Sequence, residues 1–187
     1  MNILDQIILD KRKEVDLKKQ IIPIEQLESS VLFERNTYSL KNTIGNTSGV
    51  IAEFKRRSPS KSTINQNANV WEVALNYEES GAAAMSILTD GKYFGGSLDD
   101  LILGRAAVSL PLLRKEFIVD EYQILEAKAY GADLILLIAA VLNRNEIQTL
   151  SELAKNLGLE VLLEIHNQEE LEKSMMPSLD FIGVNNR

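Results

Sequence analysis

The sequence predicts an α/β fold of the TIM (βα)8-barrel type, with only about six βα units present and an N-terminal helical extension. From about residue 50, short apolar runs of β type alternate with longer runs of helical type. The β-like runs begin about 20 to 33 residues apart, as in βα units that feed a parallel sheet. They are apolar nearly throughout, which is typical of strands covered on both faces.

The first 48 residues lack any strand-like run and predict helices instead. Residues 3–20 form an amphipathic, charge-rich helical pattern, and Pro23 separates it from a second short helical stretch in residues 24–33. We therefore divide the chain into an N-terminal helical extension, residues 1–48, and a partial barrel, residues 49–187, that ends after its sixth strand.

The repeating body alternates strands and helices in a regular order. Several of the helical patterns end at a glycine, as a C-terminal cap would. The predicted strands are 50–54, 83–88, 111–117, 133–138, 160–165 and 180–185. The predicted helices are 70–81, 97–108, 120–131, 143–158 and 167–175.

A series of right-handed βα units can close into a barrel or open into a doubly wound sheet. No glycine-rich dinucleotide turn follows the first strand, and polar residues recur where strands end, which favours the barrel. A complete barrel has eight strands and roughly 250 residues. With six predicted strands in 187 residues, we expect a C-terminally truncated barrel with unpaired edges.

Composition excludes several classes of function. The chain has no cysteine and a single histidine, His166, which argues against thiol nucleophiles, Cys-based zinc sites and His-rich metal sites. Its net charge of −7 argues against general nucleic-acid binding. No secretory signal is visible, and no apolar run approaches the ~20 residues of a membrane span. We expect a cytoplasmic protein that uses no metal or cofactor.

The segment VIAEFKRRSPSK, residues 50–61, carries the strongest functional signal. Glu53 and Lys55 point to the same face of the first strand, because side chains alternate in a strand. Buried charges cost several kcal/mol unless they are paired, and such pairs mark functional sites. The alternative is an edge strand with a solvated charged face.

Other strand ends add groups of the same kind. Lys115 lies near the end of the third strand, Glu164 lies near the end of the fifth, and Asn185 ends the sixth with Arg187 just beyond it. A lysine and a glutamate that face one cavity can serve as a general acid and base. The alternative for any one of them is an ion pair at the barrel mouth, and for His166 a structural role is favoured.

These segments together resemble the indole-3-glycerol-phosphate synthase family of (βα)8-barrel lyases. The matching segments are IAEFKRRSPSK, SILTDGKYFGGS, LLRKEFIVDEYQI, GADLILLI, LLEIHN and FIGVNNR, in family order over essentially the whole chain. The resemblance implies a cofactor-independent ring closure of 1-(2-carboxyphenylamino)-1-deoxyribulose 5-phosphate, with loss of CO2 and water. It also implies a small phosphorylated partner rather than nucleic acid or membrane.

The resemblance assigns catalytic roles to five residues. Lys115 would be the general acid that protonates the ketone, and Glu164 the base or acid of the later dehydration. Lys55 would contact the substrate and steer proton transfer. Glu53 would position the two lysines, and Asn185 would orient the reacting groups.

The resemblance also assigns substrate contacts. Ser58 and Arg187 would contact anionic or hydroxyl groups, while Phe94, Phe117 and Leu136 would line the pocket for the anthranilate ring. The aromatic at Phe94 could equally be a local packing anchor.

The chain departs from the family pattern at two points. Ser62 stands where the family commonly has glycine, and serine would strain a loop that needs positive φ. The family's phosphate site lies largely in loops after strands 7 and 8, which are not among the six predicted here.

Two other functions stay open from the sequence. One is a non-catalytic partial barrel that acts as a scaffold or interaction module and self-associates through its open edges. The other is a different phosphate-binding barrel such as phosphoribosylanthranilate isomerase, against which the SPSK loop and RKEF argue.

Overall fold

The chain forms a six-stranded parallel sheet, seen in a computed structural model that describes residues 2–186. Strand order follows chain order, so each strand pairs with the next one along the sequence. The sheet curls as in an α/β barrel, which confirms the predicted fold class, since a doubly wound sheet reverses its strand order. The strands are β1 Ile51–Phe54, β2 Ala84–Leu88, β3 Leu112–Lys115, β4 Leu134–Ile138, β5 Glu160–Ile165 and β6 Phe181–Val184.

Helices connect the strands on the outside of the curled sheet. All six predicted strands and the five predicted helices of the body form, although β3 ends at Lys115 rather than at Phe117. One short helix between β2 and the next long helix was not predicted. In chain order these helices are α4 Val70–Glu79, α5 Gly91–Phe94, α6 Leu98–Ala107, α7 Glu121–Ala129, α8 Arg144–Asn156 and α9 Gln168–Ser174.

The N-terminal segment is helical, and a short 3-10 turn over Ile44–Asn46 ends it. Its first helix starts with a capping box in which Asn2 and Asp5 exchange side-chain to backbone hydrogen bonds. The packing of Val15 and Leu27 against Tyr122 attaches the segment to α7. The helices are α1 Ile3–Ile21, α2 Ile24–Glu28 and α3 Leu40–Thr43.

Alternate residues of each strand face two separate apolar layers. The outward residues pack under the helices, and β4 shows this with Ile135 and Leu137. The inward residues Leu134, Leu136 and Ile138 of the same strand fill the concave face of the sheet. Leu40 of α3 belongs to the concave layer, so the N-terminal segment covers it at the end where the strands begin. The opposite end of the concave face is left for polar side chains.

Candidate active site

The carboxyl ends of the strands bring the predicted acid and base residues into one cavity. Parallel strands point their carboxyl ends in one direction, and alternate residues of each strand face inward. Glu53 of β1, Lys115 of β3 and Glu164 of β5 therefore face the same space. Lys55 and Asn185 follow directly after β1 and β6 and line that space as well.

Glu53 bridges two lysines that come from different strands. One carboxylate oxygen pairs with Lys55, and the other accepts a hydrogen bond from Lys115 Nζ at 2.9 Å. Burial would raise the pKa of Glu53, but the hydrogen bonds from Lys55 and Lys115 outweigh it and hold the pKa below its ordinary value. The carboxylate is therefore ionised at neutral pH and keeps the two ammonium groups close together.

The charges of β1 are neither deeply buried nor fully solvated. Although β1 lies at one end of the described sheet, the side chains of Glu53, Lys55 and Lys115 are only 30%, 26% and 34% exposed. They face the concave cavity rather than the outer surface. The sequence had left open that β1 is an edge strand with a solvated charged face. The structure does not show such a face.

Glu164 and Asn185 form a second polar group at the ends of β5 and β6, which pair with each other. Asn185 Nδ2 donates a hydrogen bond to Glu164 Oε1 at 2.9 Å, which orients the carboxylate. His166 Nε2 lies 3.9 Å from the same oxygen, and His166 Nδ1 lies 3.4 Å from Glu170 Oε2. Two carboxylates thus contact the single imidazole at the rim of the cavity.

Two aromatic rings form one wall of the cavity. The rings of Phe94 and Phe117 lie 5.9 Å apart between centroids and are tilted by 40°. Phe94 is carried by the four-residue helix α5, which Asp90 caps through the backbone N–H groups of Tyr93 and Phe94. Gly96 follows, where an added Cβ would lie 1.8 Å from a backbone oxygen of β2, so only glycine fits this turn.

The cavity has a volume of about 280 Å3, and its apolar walls enclose the Glu53 cluster and the Glu164–Asn185 pair. Eight of the predicted residues line it: Glu53, Lys55, Phe94, Lys115, Phe117, Leu136, Glu164 and Asn185. Sequence reasoning assigned no site role to its other lining residues, Leu4, Leu88, Asp90, Glu116, Ile138 and His166. Of these, Glu116 had a visible signal, because it is a charge beside Lys115 at the end of an apolar strand.

The structure does not bring every predicted residue into the cavity. Ser58 lies in the loop after β1, where it pairs with Lys61 and is not among the lining residues. Arg187 lies outside the described residues. The strain expected at Ser62 is absent, since within residues 2–186 only glycines have positive φ.

A larger cleft lies on the outer surface and has a different character. It measures about 600 Å3 and is lined by α1, α2, α7, α8 and the loops before α7 and α8, with residues such as Lys19, Tyr122 and Thr149. None of its lining residues comes from a strand. The smaller cavity is the one that contains the contacts of Glu53 with two lysines and of Glu164 with Asn185.

Within residues 2–186, no helix combines the length and the apolar composition that a membrane crossing requires. Nor does this part of the chain group three or more His, Cys, Asp or Glu side chains as a metal site would.

Fold and site together define a class of protein: an α/β-barrel enzyme with a cavity of paired charged and polar side chains at the carboxyl ends of its strands. Residues 4–187 match the family model described as indole-3-glycerol phosphate synthase. The chain belongs to the indole-3-glycerol phosphate synthase family, whose members are enzymes of tryptophan biosynthesis.

Named relatives agree with the family match. The chain is 52% identical over 187 residues to the indole-3-glycerol phosphate synthase of Bacteroides thetaiotaomicron, covering 100% of this chain and 72% of the relative. It is 42% identical over 189 residues to that of Campylobacter jejuni strain RM1221, covering 99% of this chain and 73% of the relative. A relative in Paenarthrobacter aurescens is 41% identical over 193 residues, with 100% and 71% covered.

Proposed function

We propose that this chain is a carbon–carbon lyase that converts 1-(2-carboxyphenylamino)-1-deoxyribulose 5-phosphate to indole-3-glycerol phosphate. The reaction closes a pyrrole ring and releases CO2 and water. The observation that carries the proposal is the arrangement of the cavity, where the Glu53-bridged pair Lys55 and Lys115 faces the same space as Glu164 and Asn185. The family membership supports the same reaction.

The first stage requires an acid at the ketone oxygen. The Lys115 ammonium donates a proton to this oxygen while the ring carbon that bears the carboxylate attacks the carbonyl carbon. The new C–C bond closes the five-membered ring, and the C–CO2 bond then breaks so that its electron pair restores the aromatic ring. Glu53 holds Lys115 beside Lys55, whose positive charge steers the proton transfer.

The second stage is a dehydration, which requires an acid and a base together. Glu164 removes a proton from the carbon between the ring nitrogen and the new alcohol, and the hydroxyl group leaves as water with a proton from the lysine pair. The Asn185 amide fixes the carboxylate for this step. Over the whole reaction one proton is consumed, since the carboxylate leaves as neutral CO2, and solvent restores the protons of the lysines.

The walls of the cavity suit the aromatic part of this substrate. Phe94, Phe117 and Leu136 present apolar surface to a planar ring and keep water from the reacting carbons. From the family resemblance we assign Ser58 and Arg187 to the anionic and hydroxyl groups of the substrate. A reaction on a small phosphorylated metabolite suits the cytoplasm, which we propose as the location of the protein.

Turnover by the purified chain tests the proposal directly. With the carboxyphenylamino-deoxyribulose phosphate as substrate, we expect indole fluorescence to appear. We expect Lys115→Met to lower kcat about 10²- to 10⁴-fold, the usual contribution of a general acid. Lys13→Met changes an exposed lysine of α1 and is the matched control, for which we expect the rate of the unmodified chain.

Each outcome of this assay has a definite meaning. If the purified chain shows no turnover, the proposed activity of this chain is wrong, and a scaffold role gains support. If the unmodified chain converts the substrate and the kcat of Lys115→Met equals that of the control, the proposed activity is supported and the general acid is a group other than Lys115.

A further inference from the structure

The N-terminal helix carries one buried charge that the reaction does not use. Lys11 of α1 is 2% exposed, and its ammonium lies 3.0 Å from Asp90 Oδ2, 3.2 Å from Glu116 Oε1 and 2.8 Å from Glu14 Oε2. Burial alone would lower the pKa of Lys11, but the carboxylates, Glu116 first, outweigh it and raise the pKa above its usual value. The lysine is therefore charged, and it joins two loops that are far apart in sequence.

The first loop is the one that carries Phe94. Asp90 has two tasks, since Oδ2 pairs with Lys11 and Oδ1 accepts hydrogen bonds from the backbone N–H groups of Tyr93 and Phe94, at 2.6 and 3.3 Å. The position of this carboxylate therefore sets the orientation of α5. Because α5 has a single turn, it cannot hold its own geometry without the cap.

The second loop is the one that carries Phe117. Glu116 Oε1 pairs with Lys11 and accepts a hydrogen bond from the backbone N–H of Phe117 at 2.8 Å. Its other oxygen accepts a hydrogen bond from Thr89 Oγ1 at 2.9 Å. Of the three carboxylates that contact Lys11, Asp90 and Glu116 therefore each accept a hydrogen bond from the backbone of a residue whose ring forms the aromatic wall of the cavity.

We propose that Lys11 is a positioning residue of the active site, which sets the separation of the Phe94 and Phe117 rings by holding Asp90 and Glu116 at fixed distances. Asp90 and Glu116 also line the cavity, so Lys11 lies directly behind its wall. Its effect falls on the binding of the aromatic ring of the substrate, and in this respect it rests on the proposed function. The positioning of the two loops does not depend on that function.

A purely stabilising role for Lys11 makes a different prediction. If Lys11 only stabilised the fold, removing its charge would lower the stability of the whole protein and would not raise KM more than it changes kcat. A positioning role predicts a rise in KM that is larger than the change in kcat, because Lys115 and Glu164 keep their own partners. It also predicts increased amide exchange at both Phe94 and Phe117 in the ligand-free protein.

Because the chain lacks cysteine, the charge at this position can be removed and restored chemically. Lys11→Cys is unfolded, alkylated and refolded in two forms. Bromoethylamine yields an ammonium side chain of the length of lysine, and iodoethanol yields a neutral side chain of the same length. Lys13→Cys, treated in the same two ways, is the control on the exposed face of α1.

For the neutral form at position 11 we expect KM to rise about tenfold, the size of a lost aromatic contact. We expect its amides at Phe94 and Phe117 to exchange about tenfold faster in local opening. The ammonium form restores both values, and neither form changes them at position 13. Equal KM and equal exchange in the two forms at position 11 would overturn the proposal.

A second variant covers the case in which the neutral form does not refold. Asp90→Asn keeps an oxygen for the cap of α5 and loses the charge that attracts Lys11. We expect faster amide exchange at Phe94 and a higher KM. An unchanged exchange rate at the Phe94 amide would contradict the proposal. If the unmodified chain shows no turnover, the proposed function fails, while the exchange measurements still decide the role of Lys11.

Discussion

Glu53 shows how much of the site depends on a single carboxylate. Two ammonium groups, one of them from a residue 62 positions further along the chain, share its two oxygens. Without the negative charge the two lysines would repel one another, since like charges a few ångströms apart disfavour the charged state of both. In the reaction we propose, Glu53 therefore acts through the two lysines and transfers no proton of its own.

This position predicts a large effect from a small change. Glu53→Gln keeps the shape of the side chain and one acceptor oxygen, but removes the charge that holds Lys55 and Lys115 together. We expect kcat to fall about 100-fold, the lower range for a lost acid or base contribution, and the melting temperature to change little. Indole fluorescence and thermal melting measure the two effects. The exposed Glu25→Gln is the control, and full activity in the Glu53→Gln variant would show that the bridge is dispensable.

The sequence predicted which residues share the cavity wherever the alternation of side chains along a strand was sufficient to place them. The two-residue spacing placed Glu53 and Lys55 on one face, and the end of the third strand located Lys115. The contacts of Lys11 could not be predicted in this way. The spacing of apolar residues in α1 indicates an amphipathic helix, but it does not show which strand ends this helix crosses. The partners of a buried charge are set by tertiary packing, which a periodic pattern does not encode.

At the scale of elements, the two ends of the sheet differ in what they contain: buried ion pairs lie where the strands begin, and the candidate active site lies where they end. Where the strands begin, Asp133 is fully buried and ties four groups together: the backbone N–H groups of Tyr38 and Leu112, and the guanidinium groups of Arg35 and Arg105. These contacts attach the N-terminal segment and α6 to the start of β3 and β4. The residues to which we assign acid and base roles lie at the opposite end.

Asp133→Asn tests this separation. The substitution leaves two arginines without their charge partner in the interior, and breaking a buried ion pair typically costs about 3 kcal/mol or more. We expect the free energy of unfolding, measured by urea denaturation, to fall by about this amount, while KM for the substrate stays unchanged. Asp99→Asn, on the exposed face of α6, is the control. A large rise in KM would show that the two ends are coupled.

Long elements were predictable and short ones were not. The strands and long helices carry repeated periodic signals, and each formed within a few residues of its predicted bounds. The helices α3 and α5 have four residues each, which is too short for a period. They form because side chains cap them. Ser39 caps α3 by accepting a hydrogen bond from the backbone N–H of Asn42, and Asp90 caps α5.

For the whole molecule, buried charges connect the N-terminal helix, the sheet and the outer helices. Glu126 of α7 is 1% exposed and pairs with Arg114 Nη2 at 2.6 Å and with Lys18 Nζ at 3.1 Å. Burial would raise the pKa of Glu126, but the charges of Arg114 and Lys18 outweigh it and keep the pKa below 4.5. One carboxylate thus links α1, β3 and α7.

The depressed pKa of Glu126 predicts how stability depends on pH. In the unfolded chain the carboxyl group takes up a proton near its ordinary pKa of 4.5, while in the folded protein it resists protonation to lower pH. The unfolded state therefore binds more protons in this range, so the stabilisation is complete above about pH 5.5 and is lost as pH falls through 4.5 and below. We expect Glu126→Gln to be less stable at pH 7 and to lose less stability on acidification, measured by melting temperature from pH 7 to 3. The exposed Glu79→Gln is the control, and an acid decline as steep in the Glu126→Gln variant as in the unmodified chain would assign the pH dependence to other carboxylates.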